Sequence, residues 1–122
     1  MPEAKINYYN LLMVSTLNDE GIDAVAALYK NLKKSNPNEI HEGLLNGLGY
    51  RMLRDNRIQD AIAIFELNVD LHPGYANGYD SLAEAYMKGG DNERAIKYYK
   101  KSLELDSNNS NAVEMLEKLE KK

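Results

Sequence analysis

Leu45-Asn46-Gly47-Leu48-Gly49 and Tyr79-Asp80-Ser81-Leu82-Ala83 stand 34 residues apart and carry one pattern twice. Leu48 falls on Leu82, and Gly49 falls on Ala83. The same offset carries Met52 onto Tyr86, Ala61 onto Ala95, Ile62 onto Ile96, Phe65 onto Tyr99 and Leu71 onto Leu105. Large residues recur in large slots and small residues in small slots. A period of this length marks an array of helix-turn-helix units, each burying its apolar face against the next.

Residues 42–75 and 76–109 are the two clear units. Each predicts a helix, a tight turn and a second helix. The turns are Asp55-Asn56-Arg57 and Gly89-Gly90-Asp91-Asn92, rich in turn and cap residues. His72-Pro73-Gly74 closes the earlier unit, because proline ends a helix and glycine frees the bend. Residues 6–39 read as a degenerate unit with Tyr9, Leu12, Met13, Thr16, Val25 and Tyr29 in the repeat slots. Its turn is Asn18-Asp19-Glu20-Gly21. Met13 and Val25 are bulky where small residues are preferred, so these two helices are expected to lie further apart. Two extra residues fall in the region 38–41. A last helix over 111–120 carries Ala112, Val113, Leu116 and Leu119 as an apolar stripe and charges elsewhere, the pattern of a cap. The expectation is one all-α domain over residues 1–122: three helix pairs, a capping helix at about 110–121 and no strand.

The first helix differs from the last. Ile6, Tyr8, Tyr9, Leu11, Leu12, Met13, Val14 and Leu17 wrap most of its circumference. A helix apolar all round is a buried helix. Either the degenerate unit needs more packing area, or Tyr8 and Leu11 cover a second surface. A dimer mate or an upstream domain would supply that surface.

Composition narrows the function. The chain has 122 residues, enough for a core, and a net charge of −4 with no basic block or stripe. Nucleic acid and anionic membrane are therefore not the expected partners. No apolar run reaches membrane-spanning length, and no signal peptide is visible. Cysteine is absent, which excludes disulfides and thiolate chemistry. His41 and His72, the only histidines, sit near helix boundaries in separate units, so exposed helix-end histidines are expected rather than a metal pair. No nucleophile motif, zinc motif or phosphate loop occurs. Gly43, Gly47 and Gly49 lie on one helix and follow no strand, so they are not a dinucleotide fingerprint. Gly49 fills the small slot where the two helices of a unit meet, and Gly47 is expected to allow another close approach. The nine tyrosines mostly occupy core slots, with hydroxyls at the rim. Asn68 occupies a core slot, and a buried amide needs partners; a bond tying adjacent helices is expected. No enzyme activity, cofactor or metal is expected.

The order bulky, Leu, small, aromatic in the first helix, then Ala, aromatic and Pro, resembles the tetratricopeptide repeat (TPR) family. The resemblance implies a right-handed solenoid whose first helices line a concave groove. The inward slots would then be Asn7, Asn10, Val14 and Leu17; Gly43, Asn46, Tyr50, Leu53 and Arg54; and Asn77, Asp80, Glu84, Met87 and Lys88. Of these, Asn7, Asn10, Asn46, Tyr50, Arg54, Asn77, Asp80, Glu84 and Lys88 form the expected binding set for a protein or peptide. Asparagine amides pair with a peptide backbone, and Tyr50 offers an aromatic anchor. Co-chaperone members grip a terminal carboxylate with Lys, Asn, Asn, Lys and Arg. The matching slots here hold Asn10, Val14, Gly47, Asn77 and Ser81, or, one unit on, Asn46, Tyr50, Ser81, Asn111 and Met115. Neither set supplies the cations, so that grip is not expected.

The runs 45–50, 61–69 and 77–86 also resemble the C-terminal repeat region appended to bacterial β-lactamase-like, penicillin-binding-protein-like and esterase serine hydrolases. That resemblance implies an accessory module whose first helix docks on a catalytic domain. A cytoplasmic location is expected for the chain as it stands, and a periplasmic one if it comes from a secreted hydrolase. Three readings follow: a peptide-binding or scaffolding module, a hydrolase accessory domain, and an oligomerisation unit acting through helix 1.

Overall fold

The computed structural model describes residues 3–121 and comprises seven α-helices, with no strand among the described residues. They are α1 (Glu3–Glu20), α2 (Ile22–Ser35), α3 (Glu42–Arg54), α4 (Ile58–Leu71), α5 (Ala76–Lys88), α6 (Asn92–Leu105) and α7 (Ser110–Glu120). Successive helices form antiparallel pairs. The first helices α1, α3 and α5 touch side by side, and α2 touches α4 behind them. Two layers result, with the core between them.

Left-handed backbone sets the tight turns. Gly21 (φ 91°), Asn56 (φ 59°) and Gly90 (φ 88°) are the positive-φ residues, one in each helix pair. Glycine and asparagine tolerate that region best. The turn at Gly21 is shorter than the sequence suggested, because α1 continues through Glu20.

Small-against-large packing fixes the spacing of each pair. A Cβ on Gly49 would collide with the Phe65 ring, so α3 reaches α4 at a distance only glycine permits. Gly47, by contrast, has no neighbour within 4 Å of where a Cβ would sit and is exposed. Met13 and Val25 are fully buried, and α1 packs on α2 less closely than the later pairs pack internally, as their bulk predicts. The inserted residues after α2 are anchored. Ile40 is buried, and Lys33 Nζ donates to its carbonyl at 2.6 Å. Glu39 accepts from Lys5 Nζ and Tyr9 Oη, each at 2.8 Å.

A second device recurs with the repeat. Asn68 Nδ2 donates to the Glu42 carbonyl at 3.0 Å, and Ser102 Oγ donates to the Ala76 carbonyl at 2.8 Å. Donors and acceptors are both one repeat apart. Each bond ties the end of a second helix to the start of its own first helix. The bond expected of Asn68 is present; its counterpart at Ser102 was not foreseen. Asn109 extends the second tie: its Nδ2 donates to Ser102 Oγ at 2.9 Å, and its Oδ1 caps α7 by accepting from Ala112 N at 3.2 Å.

Candidate functional site

A polar groove of about 790 Å³ runs between α1 and α3, lined by Asn7, Asn10, Gly47, Tyr50, Arg51, Arg54 and Asp55. Four of the sequence-derived residues, Asn7, Asn10, Tyr50 and Arg54, meet here. Gly47, Arg51 and Asp55 belong to the same wall and were missed as groove residues. The signal was available: 47, 50, 51 and 54 form one helical stripe of α3, and counting one turn either way from Tyr50 finds it.

Tyr50 is the hinge of the site. Its ring packs edge-on against Phe65, with centroids 5.3 Å apart. Its hydroxyl donates to Glu84 Oε1 at 3.0 Å, joining α3 to α5. Burial pushes this phenol up to about 12, a hydrogen bond with Ser81 pulls it back, and the Glu84 and Asp80 charges push it further. It therefore stays neutral through the physiological range. Tyr50 is thus a half-buried wall of the groove rather than a free-standing anchor.

The α5 residues are already engaged. Asp80 accepts from Asn111 Nδ2 at 3.0 and 3.2 Å, which fastens α5 to α7. Burial raises its carboxyl above the ordinary range, against the pull of Asn111 and Asn109. Lys88 Nζ lies 3.9 Å from Glu84 Oε2, a loose pair on one helix. Asn77 is exposed at the start of α5. Asn46 lies on α3 outside the groove lining. Among the described residues, the buried side-chain oxygens without a donor are Asn10 Oδ1, Asn46 Oδ1 and Asn68 Oδ1. Two of these three sit on the first helices. The clamp slots hold no cation, yet cations do reach the groove, through Arg51 and Arg54.

Tyr8 and Leu11 are 59% and 60% exposed on the outer face of α1. The helix expected to be covered all round therefore presents an apolar strip to solvent. His41 is exposed and caps α3, its Nδ1 accepting from Gly43 N at 3.1 Å. His72 caps the end of α4 but is not an exposed histidine. It is half-buried, with Nε2 2.9 Å from Tyr29 Oη. Of the tyrosine hydroxyls, Tyr86 Oη lies at the exposed rim and donates to Glu66 Oε1 at 2.8 Å, whereas the bonds of Tyr9, Tyr29 and Tyr50 are part-buried. Among the described residues no group of His, Asp and Glu could hold a metal ion, and no helix is long and apolar enough to cross a membrane.

Comparison with known proteins places this architecture. Residues 76–109 match the family model described as a tetratricopeptide repeat. The chain is 34% identical over 64 residues to the tetratricopeptide repeat domain-containing protein PYG7, chloroplastic, of Arabidopsis thaliana, covering 52% of this chain and 21% of that protein. It is 41% identical over 54 residues to the Hsp70-Hsp90 organizing protein of Triticum aestivum, covering 44% of this chain and 9% of that protein. The chain thus spans about a fifth or less of these relatives. Among solved structures, the first TPR of Spaghetti (RPAP3) bound to HSP90 peptide SRMEEVD superposes with a TM-score of 0.66 at 21% identity, over 99% of this chain and 94% of that one. Residues 76–109 thus match a tetratricopeptide repeat, and the described residues share the fold of a right-handed TPR solenoid, with three helix pairs and a capping helix.

Proposed function

We propose that the chain is a protein-interaction module that holds an extended peptide segment in the groove between α1 and α3. The observation that carries this reading is the polar lining itself. Asn7 and Asn10 line it with amides, beside the cations Arg51 and Arg54. Amides pair with the backbone of an extended segment whatever its side chains. The two guanidiniums favour a segment with a carboxylate at that end, since arginine grips carboxylates with paired, charge-assisted bonds. The structural neighbour holding an HSP90 peptide supports the same class of ligand. This chain would meet a carboxylate from the C-terminal half of α3 rather than from the clamp slots.

No catalytic role is assigned. Nothing in the comparisons supports the hydrolase-associated reading, which rests on the sequence runs alone.

The test is selection of a displayed random-peptide library on the immobilised chain. Recovered peptides should bind Asn10→Ala and Arg54→Ala chains more weakly by about 1–2 kcal/mol each, the range of a contributing interface residue. Thermal unfolding of both variants should match the wild type. Peptides that bind all three chains equally would move the site off this groove.

A further inference from the structure

Tyr8, Leu11, Leu105 and Val113 are the exposed large apolar side chains among the described residues. Two lie on α1 and two at the opposite end of the helix stack, on α6 and α7. Polar groove chemistry does not account for either pair.

At the α1 end, repeat alignment puts Tyr8 in the slot held by Leu44 in the second unit and Gly78 in the third. Leu44 and Gly78 are buried. A Cβ on Gly78 would lie 3.1 Å from Val69 Cγ1, so this slot faces the second helix of the preceding unit. On α1, the first described helix, the same slot carries a tyrosine that is 59% exposed. At the far end, a groove of about 420 Å³ is lined by Leu103 of α6, by Val113, Leu116, Glu117 and Glu120 of α7, and by Lys121 just after it. Val113, Leu116, Glu117 and Glu120 stand one repeat after Tyr79, Leu82, Ala83 and Tyr86. Those α5 residues form the face that α6 covers, with Tyr98 stacked 6.3 Å from Tyr79 and 5.7 Å from Tyr86. The far groove is therefore a seat shaped for one more antiparallel helix.

Charge selects the occupant. Glu117 and Glu120 stand in this seat where Ala83 and Tyr86 stand one repeat earlier; Glu120 already lies 3.6 Å from Lys100 Nζ and Lys121 lines the same groove, so Glu117 is the carboxylate that a cation on a seated helix would meet. The outer face of α1 brings one: Lys5 lies one turn before Tyr8, and no acidic residue follows until Asp19. Lys5 bonds to Glu39 but keeps a half-exposed side chain with donors to spare. Seated antiparallel to α7, α1 would bring Lys5 to the C-terminal half of α7, where Glu117 lies. We propose that copies of this chain stack end to end, Tyr8 and Leu11 of one copy entering the α6–α7 groove of the next. Such a contact uses two different surfaces, so it propagates unless the rotation closes a ring. The surfaces are separate from the α1–α3 groove, so peptide binding and stacking stand or fall independently.

Analytical ultracentrifugation over a concentration series tests this with Tyr8→Lys and Val113→Lys chains. Both positions are exposed, and circular dichroism should show unchanged helix content; Leu11→Lys replaces Tyr8→Lys should that chain lose helicity. The wild type should rise above its 13.8 kDa monomer mass with concentration. Each variant alone should remain monomeric. An equimolar mixture of the two should double in mass and stop there, because each chain keeps one intact surface. A wild type monomeric throughout overturns the proposal. So does a Val113→Lys chain that still dimerises by itself, since that would mean two α1 faces meeting.

Discussion

Gly49 and Phe65 show how one missing methyl sets the geometry of a helix pair. The Phe65 ring occupies the space a Cβ would need, and the same ring packs edge-on against Tyr50, the wall of the groove. Gly49→Ala gains about 1 kcal/mol of helix propensity but forces the ring to move. Overpacking of this kind costs about 1–3 kcal/mol. A net loss of stability is expected in chemical denaturation, restored in part by Phe65→Leu. Ser102→Ala should lose about 1 kcal/mol, because the hydroxyl both ties α6 to Ala76 and receives Asn109. An unchanged denaturation midpoint would show that the tie contributes nothing. The glycine was legible in the sequence because repeat alignment puts it on Ala83, in the small slot where the two helices of a unit meet. Ser102 was not, because a serine in a helix carries no mark of what it bonds. Only its position one repeat after Asn68 could have signalled it.

At the scale of elements, the junction between α2 and the end of α4 rests on a titratable bond. Tyr29 is buried, and its phenol is pushed up to about 12, first by burial and then by the Glu42 charge. It stays protonated and shares a 2.9 Å hydrogen bond with His72 Nε2, whose direction follows the imidazole tautomer. Burial holds His72 below its ordinary value of 6.5, with Lys33 and His41 pushing the same way and Glu42 opposing. A base depressed in the folded chain takes up its proton more readily when unfolded. Stability from this site is therefore full above about pH 6.5 and falls as pH drops towards the lowered folded value. The melting temperature should decline between pH 7 and pH 5.5, and less so in His72→Gln. Equal slopes for the two chains would remove His72 as the cause. Asp80 carries the opposite sign. Its carboxyl is raised by burial, so its ionised form weighs against the fold above that raised value. Asp80→Asn should raise the melting temperature relative to wild type more at pH 7 than at pH 3. The boundaries of α3 to α6 were legible from turn residues and the proline. The end of α1 was not, because Asn18, Asp19 and Glu20 read as a turn yet remain helical up to Gly21.

For the whole molecule, the 34-residue period, a degenerate first unit and the apolar stripe of the last helix together gave seven helices and their pairing, because each repeat must bury its face on the next. The groove was only partly legible. Inward slots were chosen by family resemblance, which identified Asn7, Asn10, Tyr50 and Arg54 but passed over Gly47, Arg51 and Asp55. Resemblance also could not show that Tyr50, Asp80 and Glu84 spend their polar atoms on joining α3, α5 and α7. Those bonds join the helices and leave the open chemistry of the groove to α1 and the C-terminal half of α3. The most direct measurement is therefore a titration of the isotope-labelled chain with a peptide recovered from the displayed library, followed by amide chemical shifts. Shifts concentrated at Asn7, Asn10, Gly47, Arg51 and Arg54 are the expected result. Shifts concentrated on α2 and α4, with these five unmoved, would contradict the account.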